Sequence, residues 1–167
     1  LEIRKSDTIM IAAVNGAAEG AGLGLALSAD YRIASSGGKF AASYFSLGLS
    51  PDGGTSWLLP RLVGSQKTRI FFFENQVWSA EECLEYGAID ELVDETILIQ
   101  KSIEIANKWG SWSKASRSSK DLLDFQENND LETHLKLEQR RIIDAGFTSD
   151  FSEGVDAFLE KRKANFN

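Results

Sequence analysis

An α/β fold is what this sequence predicts, with the strands confined to the first third and helices filling the remainder. Two observations carry the prediction. Ile9 to Val14 is a short, apolar, partly β-branched run that leads into a turn, a glycine cluster and a second apolar run. That order suits a buried strand feeding a glycine-rich helix start. From Ser56 onward the apolar residues recur at helical spacing, which makes the rest of the chain helical.

The elements follow in order. Leu1 to Asp7 is a polar lead-in. Asn15-Gly16 marks a turn. Gly20, Gly22 and Gly24 alternate with Ala21 and Leu23 before Leu25 to Ala29 continues as helix. Asp30 to Ser35 reads as a strand, Ser36-Gly37-Gly38 as a turn and Lys39 to Ala42 as a short strand. The loop from Ser43 to Thr55 carries Gly48, Pro51, Asp52, Gly53 and Gly54, and loops of this kind often hold functional groups. Ser56 to Leu62 and Gln66 to Phe73 are helical, the second too apolar for a surface helix. Ser79 and Glu82 form a capping box for a helix that ends at Gly87. Ala88 to Val93 is extended. Thr96 to Trp109 is amphipathic, with Ile99, Ile103 and Ala106 on one stripe. Gly110 to Ser119 is the best candidate hinge. Helices follow over Lys120 to Phe125, Leu131 to Ala145 and Ser152 to Lys163. A single sheet of three or four strands is small for so many helices, so these need a partner subunit or further sheet to cover them.

Bulk properties narrow the function. The 167 residues carry a net charge of −7, which argues against nucleic acid as a partner. One cysteine, Cys83, excludes an internal disulfide and fits a reducing compartment, cytoplasmic or an organelle matrix. No run approaches the roughly 18 apolar residues of a membrane span. His134 is the only histidine, so a Ser-His-Asp triad or a histidine-rich metal site is not expected. Cys83 sits inside the capped helix as a packing residue.

Two constellations can carry chemistry. Gly20 to Gly24 misplaces the third glycine of a dinucleotide fingerprint and lacks its later acidic residue. What remains is a tightly packed helix start or half of an oxyanion hole, where backbone N–H groups converge. The second is Gly48-Leu49-Ser50-Pro51-Asp52-Gly53-Gly54-Thr55. Asp52 there is either the cap of the following helix or an acid whose basicity rises beside an apolar pocket, as proton abstraction needs. Lys161-Arg162-Lys163 is a solvated helix end or a phosphate contact.

The segments IAAVNGAAEGAGLGLALSADYRIAS, KFAASYFSLGLSPDGGTSWLLPRLVG, WSAEECLEYGAIDELVD and EGVDAFLEKRKANF together resemble the enoyl-CoA hydratase/isomerase family, the crotonase superfamily. The resemblance covers the later two-thirds of a usual family domain. It implies a partial crotonase-like spiral core over residues 1–110 and a C-terminal helical oligomerisation region over 111–167. The early strands, with the second oxyanion donor and much of the adenine pocket, are then absent. Leu1 is not a methionine, which agrees with a fragment.

The resemblance further implies an acyl-CoA thioester as substrate, with no separate cofactor and no metal. Ala21 becomes the backbone donor to the thioester oxygen, a contribution of about 3–4 kcal/mol. Gly20, Gly22, Tyr44 and Gly53 become substrate-binding. The two glutamates of the hydratases align with Gly24 and Tyr44, which cannot activate water. Asp52 instead resembles the single acid of the double-bond isomerases. Lys161 aligns with a lysine that reaches the CoA phosphates of a neighbouring subunit, in a homotrimer or hexamer. The expected function is therefore an enoyl-CoA isomerase. The alternatives are hydration or another reaction of the family, and a non-catalytic CoA-binding or assembly protein.

Overall fold

The computed structural model describes residues 1–126 and 129–166. The chain divides into two units: Met10–Ala106, and Leu1–Ile9 together with Asn107–Asn167. The first nine residues, with one helical turn α1 (Glu2–Lys5), therefore group with the C-terminal helices.

In the unit Met10–Ala106 the chain takes one step twice. Strand β1 (Ile11–Val14) turns at Asn15-Gly16 into β2 (Ala17–Glu19), and helix α2 (Ala21–Leu27) leads away. Strand β3 (Tyr31–Ser35) then turns into β4 (Lys39–Ala41). The two turns stack. The Lys39 N–H donates to the Gly16 carbonyl at 3.1 Å, and a Cβ on Gly37 would lie 3.0 Å from the Asn15 carbonyl oxygen. Only glycine lets the two backbones approach so closely.

Helices α3 (Thr55–Val63) and α4 (Ser65–Phe73) come next, then β5 (Val77–Ser79), α5 (Ala80–Tyr86), β6 (Glu91–Val93) and α6 (Leu98–Gly110). The strands form two sheets rather than the expected one. The order β1-β3-β6 is parallel throughout, with Ile11 opposite Tyr31 and Ile33 opposite Glu91. In β2-β4-β5 the first pair is parallel and the second antiparallel. β2 and β5 were not predicted. β1 is only half-buried apart from Val14, not covered on both faces.

Leu23, Leu27, Phe40, Leu59, Phe71 and Trp78 belong to one buried apolar cluster. The Phe71 and Trp78 rings meet at 4.2 Å between centroids. Arg32 is buried on β3 and pairs with Asp90 at 2.9 Å, while its Nη1 donates to the Ala29 carbonyl. α5 begins as the sequence predicts. The Ser79 N–H donates to Glu82 at 2.8 Å, the Glu82 N–H donates to the Ser79 hydroxyl at 3.2 Å, and Gly87 closes the helix at φ +82°.

Cys83 is fully buried on α5, and burial pushes its thiol up to about 12. A thiol held neutral and out of solvent is unreactive. A thiol-specific reagent should label the folded chain about a thousandfold more slowly than the urea-unfolded chain, followed by absorbance. Comparable rates would contradict this burial.

α6 corrects one expectation. Its buried line is Leu98, Ser102 and Ile105, whereas Ile99 and Ile103 are 63% and 55% exposed and Ala106 is also exposed. Helix formation was legible, but the apolar arc is wide and its predicted half is uncovered in this chain.

In the second unit, α7 (Ala115–Phe125), α8 (Leu131–Gly146) and α9 (Ser149–Glu160) follow one another. α7 starts within the segment expected to be a hinge, since no glycine or proline interrupts Ala115 to Ser119. α8 is capped by Asp130, which accepts from the Thr133 N–H at 2.7 Å. α9 starts earlier than predicted because Thr148 caps it, accepting from the Phe151 N–H. Buried Lys120 donates to the carbonyls of Ile3 and Thr8 at 3.1 and 3.0 Å, and Arg4 pairs with Asp124. These bonds tie α1 to α7. Leu131, Leu135 and Ile142 are exposed along α8. Among the described residues no helix is long and apolar enough to cross a membrane, and no cluster of three metal-ligating side chains occurs.

Candidate active site

The site is built where α2 begins and where the loop before α3 meets it. Gly20 precedes α2 at φ +52°, and its N–H is engaged by the Ala41 carbonyl at 3.1 Å. The first helical bond runs from the Gly24 N–H to the Gly20 carbonyl. The amides of Ala21, Gly22 and Leu23 precede that bond, so the helix offers them no carbonyl one turn back. Ala21 and Gly22 are exposed.

The loop carrying Asp52 is fixed to this helix by backbone packing. A Cβ on Gly24 would lie 2.4 Å from the Gly53 carbonyl oxygen. A Cβ on Gly53, at φ +58°, would lie 3.5 Å from both the Ala21 Cα and carbonyl oxygen. Two glycines thus let the main chains touch, and this contact sets Asp52 beside the start of α2.

Tyr44 orders the carboxylate. Its hydroxyl donates to Asp52 Oδ1 at 3.0 Å. The ring is buried, and a Cβ on Gly20 would approach it at 3.8 Å. Thr55 is fully buried; its Oγ1 donates to the Asp52 carbonyl at 3.0 Å and stands 3.3 Å from the Tyr44 hydroxyl oxygen. Burial raises the Tyr44 pKa, Thr55 opposes that rise, and the bond to Asp52 adds to it. The net effect keeps Tyr44 a proton donor at neutral pH. Among the described residues, Asp52 Oδ2 accepts no hydrogen bond.

The cap reading of Asp52 is corrected. The residue before α3 is Gly54, and the Asp52 carboxylate accepts from Tyr44 rather than from a helix N–H. Asp52 is therefore not that helix's side-chain cap. Its side chain is exposed in this chain.

Gly20, Ala21, Tyr44, Asp52 and Gly53 are brought together, with Gly22 one residue along α2. Lys161 belongs to the other unit. It is exposed at the end of α9 with φ +55°, where the Arg162 N–H closes the helix on the Ala157 carbonyl. Sequence reasoning missed Thr55. The available signal was its place three residues after Asp52, the spacing of a turn in which a threonine hydroxyl meets the earlier carbonyl.

The sequence model of the enoyl-CoA hydratase/isomerase family matches residues 1–167. The chain is 37% identical over 158 residues to the 1,2-epoxyphenylacetyl-CoA isomerase of Escherichia coli K12, covering 94% of this chain and 60% of that protein. It is 36% identical over 158 residues to the crotonyl-CoA hydratase of Syntrophomonas wolfei, covering 94% and 61%. Among solved structures, an enoyl-CoA hydratase from Bacillus anthracis superposes with a TM-score of 0.93 at 33% identity, covering 98% of this chain and 64% of that one. The chain thus spans about 60% of the length of these curated relatives. The fold is the crotonase fold, and the chain belongs to the enoyl-CoA hydratase/isomerase family.

Proposed function

We propose that the chain carries part of an acyl-CoA double-bond isomerase site, in which Asp52 moves a proton between two carbons of the acyl chain. The observation that carries this reading is the seat of Asp52: one carboxylate held beside the free amides of α2 by the contact of Gly53 on Gly24. The Ala21 N–H is one donor to the thioester oxygen. It stabilises the negative charge that develops when the proton on C2 leaves. When the proton returns at C4, the electron pair of C3=C4 forms the C4–H bond, and the pair left by the C2–H bond becomes the new C2=C3 bond. One acid is enough for such a shift. The absence of a second carboxylate at position 24 or 44 supports it over water addition.

CoA itself is part of the substrate, and the reaction calls for no further cofactor. Gly20 and Gly22 leave the approach to the amides open. The exposed apolar residues Leu131, Leu135 and Ile142 support an oligomer built on the C-terminal helices. Lys161 would then meet the CoA phosphates of a neighbouring subunit.

Hydration is the second reading, favoured by relatives named crotonyl-CoA and short-chain-enoyl-CoA hydratase. Product mass separates the two. The full chain given a 3-enoyl-CoA should return a 2-enoyl-CoA of unchanged mass, and given a 2-enoyl-CoA it should add little water. Rapid conversion to a product heavier by one water would overturn the isomerase reading.

A further inference from the structure

We infer that Tyr44 and Thr55 are positioning residues that fix which oxygen of Asp52 handles the proton, so that the proton leaving C2 is returned at C4 by the same atom. This rests on the isomerase reading. The Tyr44 ring is buried and its hydroxyl is directed onto Asp52 Oδ1 at 3.0 Å. Thr55, with no exposed surface, stands 3.3 Å from that hydroxyl and also holds the Asp52 carbonyl at 3.0 Å. Carboxylate and main chain of Asp52 are thus gripped by two buried hydroxyls, while the side chain itself is exposed.

A carboxylate with neither oxygen held turns freely about its Cβ–Cγ bond. Each turn exchanges the oxygen facing substrate for the one facing water. A charge-assisted hydrogen bond to Oδ1 suppresses that rotation and leaves Oδ2 to the substrate. In the first half-reaction the C2–H bond breaks, Oδ2–H forms, and the electron pair delocalises to the thioester oxygen. In the second, the thioester C=O and a C2=C3 double bond form from the dienolate, the electron pair of C3=C4 takes the proton to make C4–H, and Oδ2–H breaks, restoring the carboxylate. No oxidant or further reactant takes part. Because the carrier oxygen is held, transfer to C4 competes with loss of the proton to solvent.

The test uses 3-enoyl-CoA deuterated at C2, in ordinary water, with the full chain. Wild type should retain deuterium at C4 of the 2-enoyl-CoA product, read by mass spectrometry and NMR. Tyr44→Phe should lower that retention several-fold and lower kcat about tenfold, with KM little changed. Thr55→Val should act in the same direction, and Thr55→Ser, which keeps the hydroxyl, should restore retention. Should Tyr44→Phe fail to fold by circular dichroism, the Thr55 pair carries the test. Unchanged retention in Tyr44→Phe, or equal retention in Thr55→Val and Thr55→Ser, overturns the inference while leaving the isomerase reading intact. A wild type that does not isomerise the substrate overturns both.

Discussion

Asp52→Asn should lower isomerisation of 3-enoyl-CoA by roughly 10²–10⁴-fold, the range typical of a lost general acid–base group. Asparagine has the same shape, and its carbonyl oxygen can still accept from Tyr44. The loop therefore keeps its seat on Gly24, and affinity for a CoA ester should change by no more than a few-fold. Because Asp52 is exposed, stability should stay within about 0.5 kcal/mol of wild type. Steady-state turnover, ester titration and urea unfolding on one preparation check the three parts. Turnover within a few-fold of wild type would remove Asp52 from the chemistry.

The second large effect concerns packing. Gly24→Ala places a methyl carbon 2.4 Å from the Gly53 carbonyl oxygen and 2.8 Å from its carbon. Both are backbone atoms, so no side chain can rotate away. The Asp52 loop must move off α2. Overpacking of this kind costs about 1–3 kcal/mol, and a displacement near 1 Å in a catalytic group costs about 10²-fold in rate. Gly22 is the matched control for stability. It lies in the same helix, a Cβ there meets nothing within 4 Å, and Gly22→Ala should gain about 0.5–1 kcal/mol from helix propensity. Equal melting temperatures for the two variants would show that the Gly24–Gly53 contact does not hold the loop. A side chain at position 24 would need a different seat for residues 52–54 before any carboxylate reached the site.

Local chemistry was legible where it is written in adjacent residues. The capping box of Ser79 and Glu82 and the stop at Gly87 could be read directly, because each involves groups within a turn of one another. β3 and β4 were legible from a five-residue run and a turn of two glycines. β2 and β5 were not. Three residues show no periodicity, Ala17-Ala18 favours no strand, and both strands exist through pairing with β4, distant in sequence. The stripe on α6 failed for a related reason. Ile99 and Ile103 adjoin Leu98, Ser102 and Ile105 around the helix, and periodicity marks an apolar arc without saying which half is covered. At the site, spacing singled out Asp52 and the glycines. The bond from Tyr44 depends on the path of the loop between it and Asp52, which bends at Gly48 with φ +70°.

The repeated strand–turn–strand step has a consequence for local opening. α2 leads directly from β2, and β2 is held to β4 in a parallel register with Ala17 opposite Lys39 and Glu19 opposite Ala41. Asp52 reaches the same place by another route, through Thr55 at the start of α3, and Gly53 rests on Gly24. Parting of β2 from β4 thus withdraws the Ala21 amide from the carboxylate in one event, and the free energy of that local opening sets how often the two halves of the site are in register.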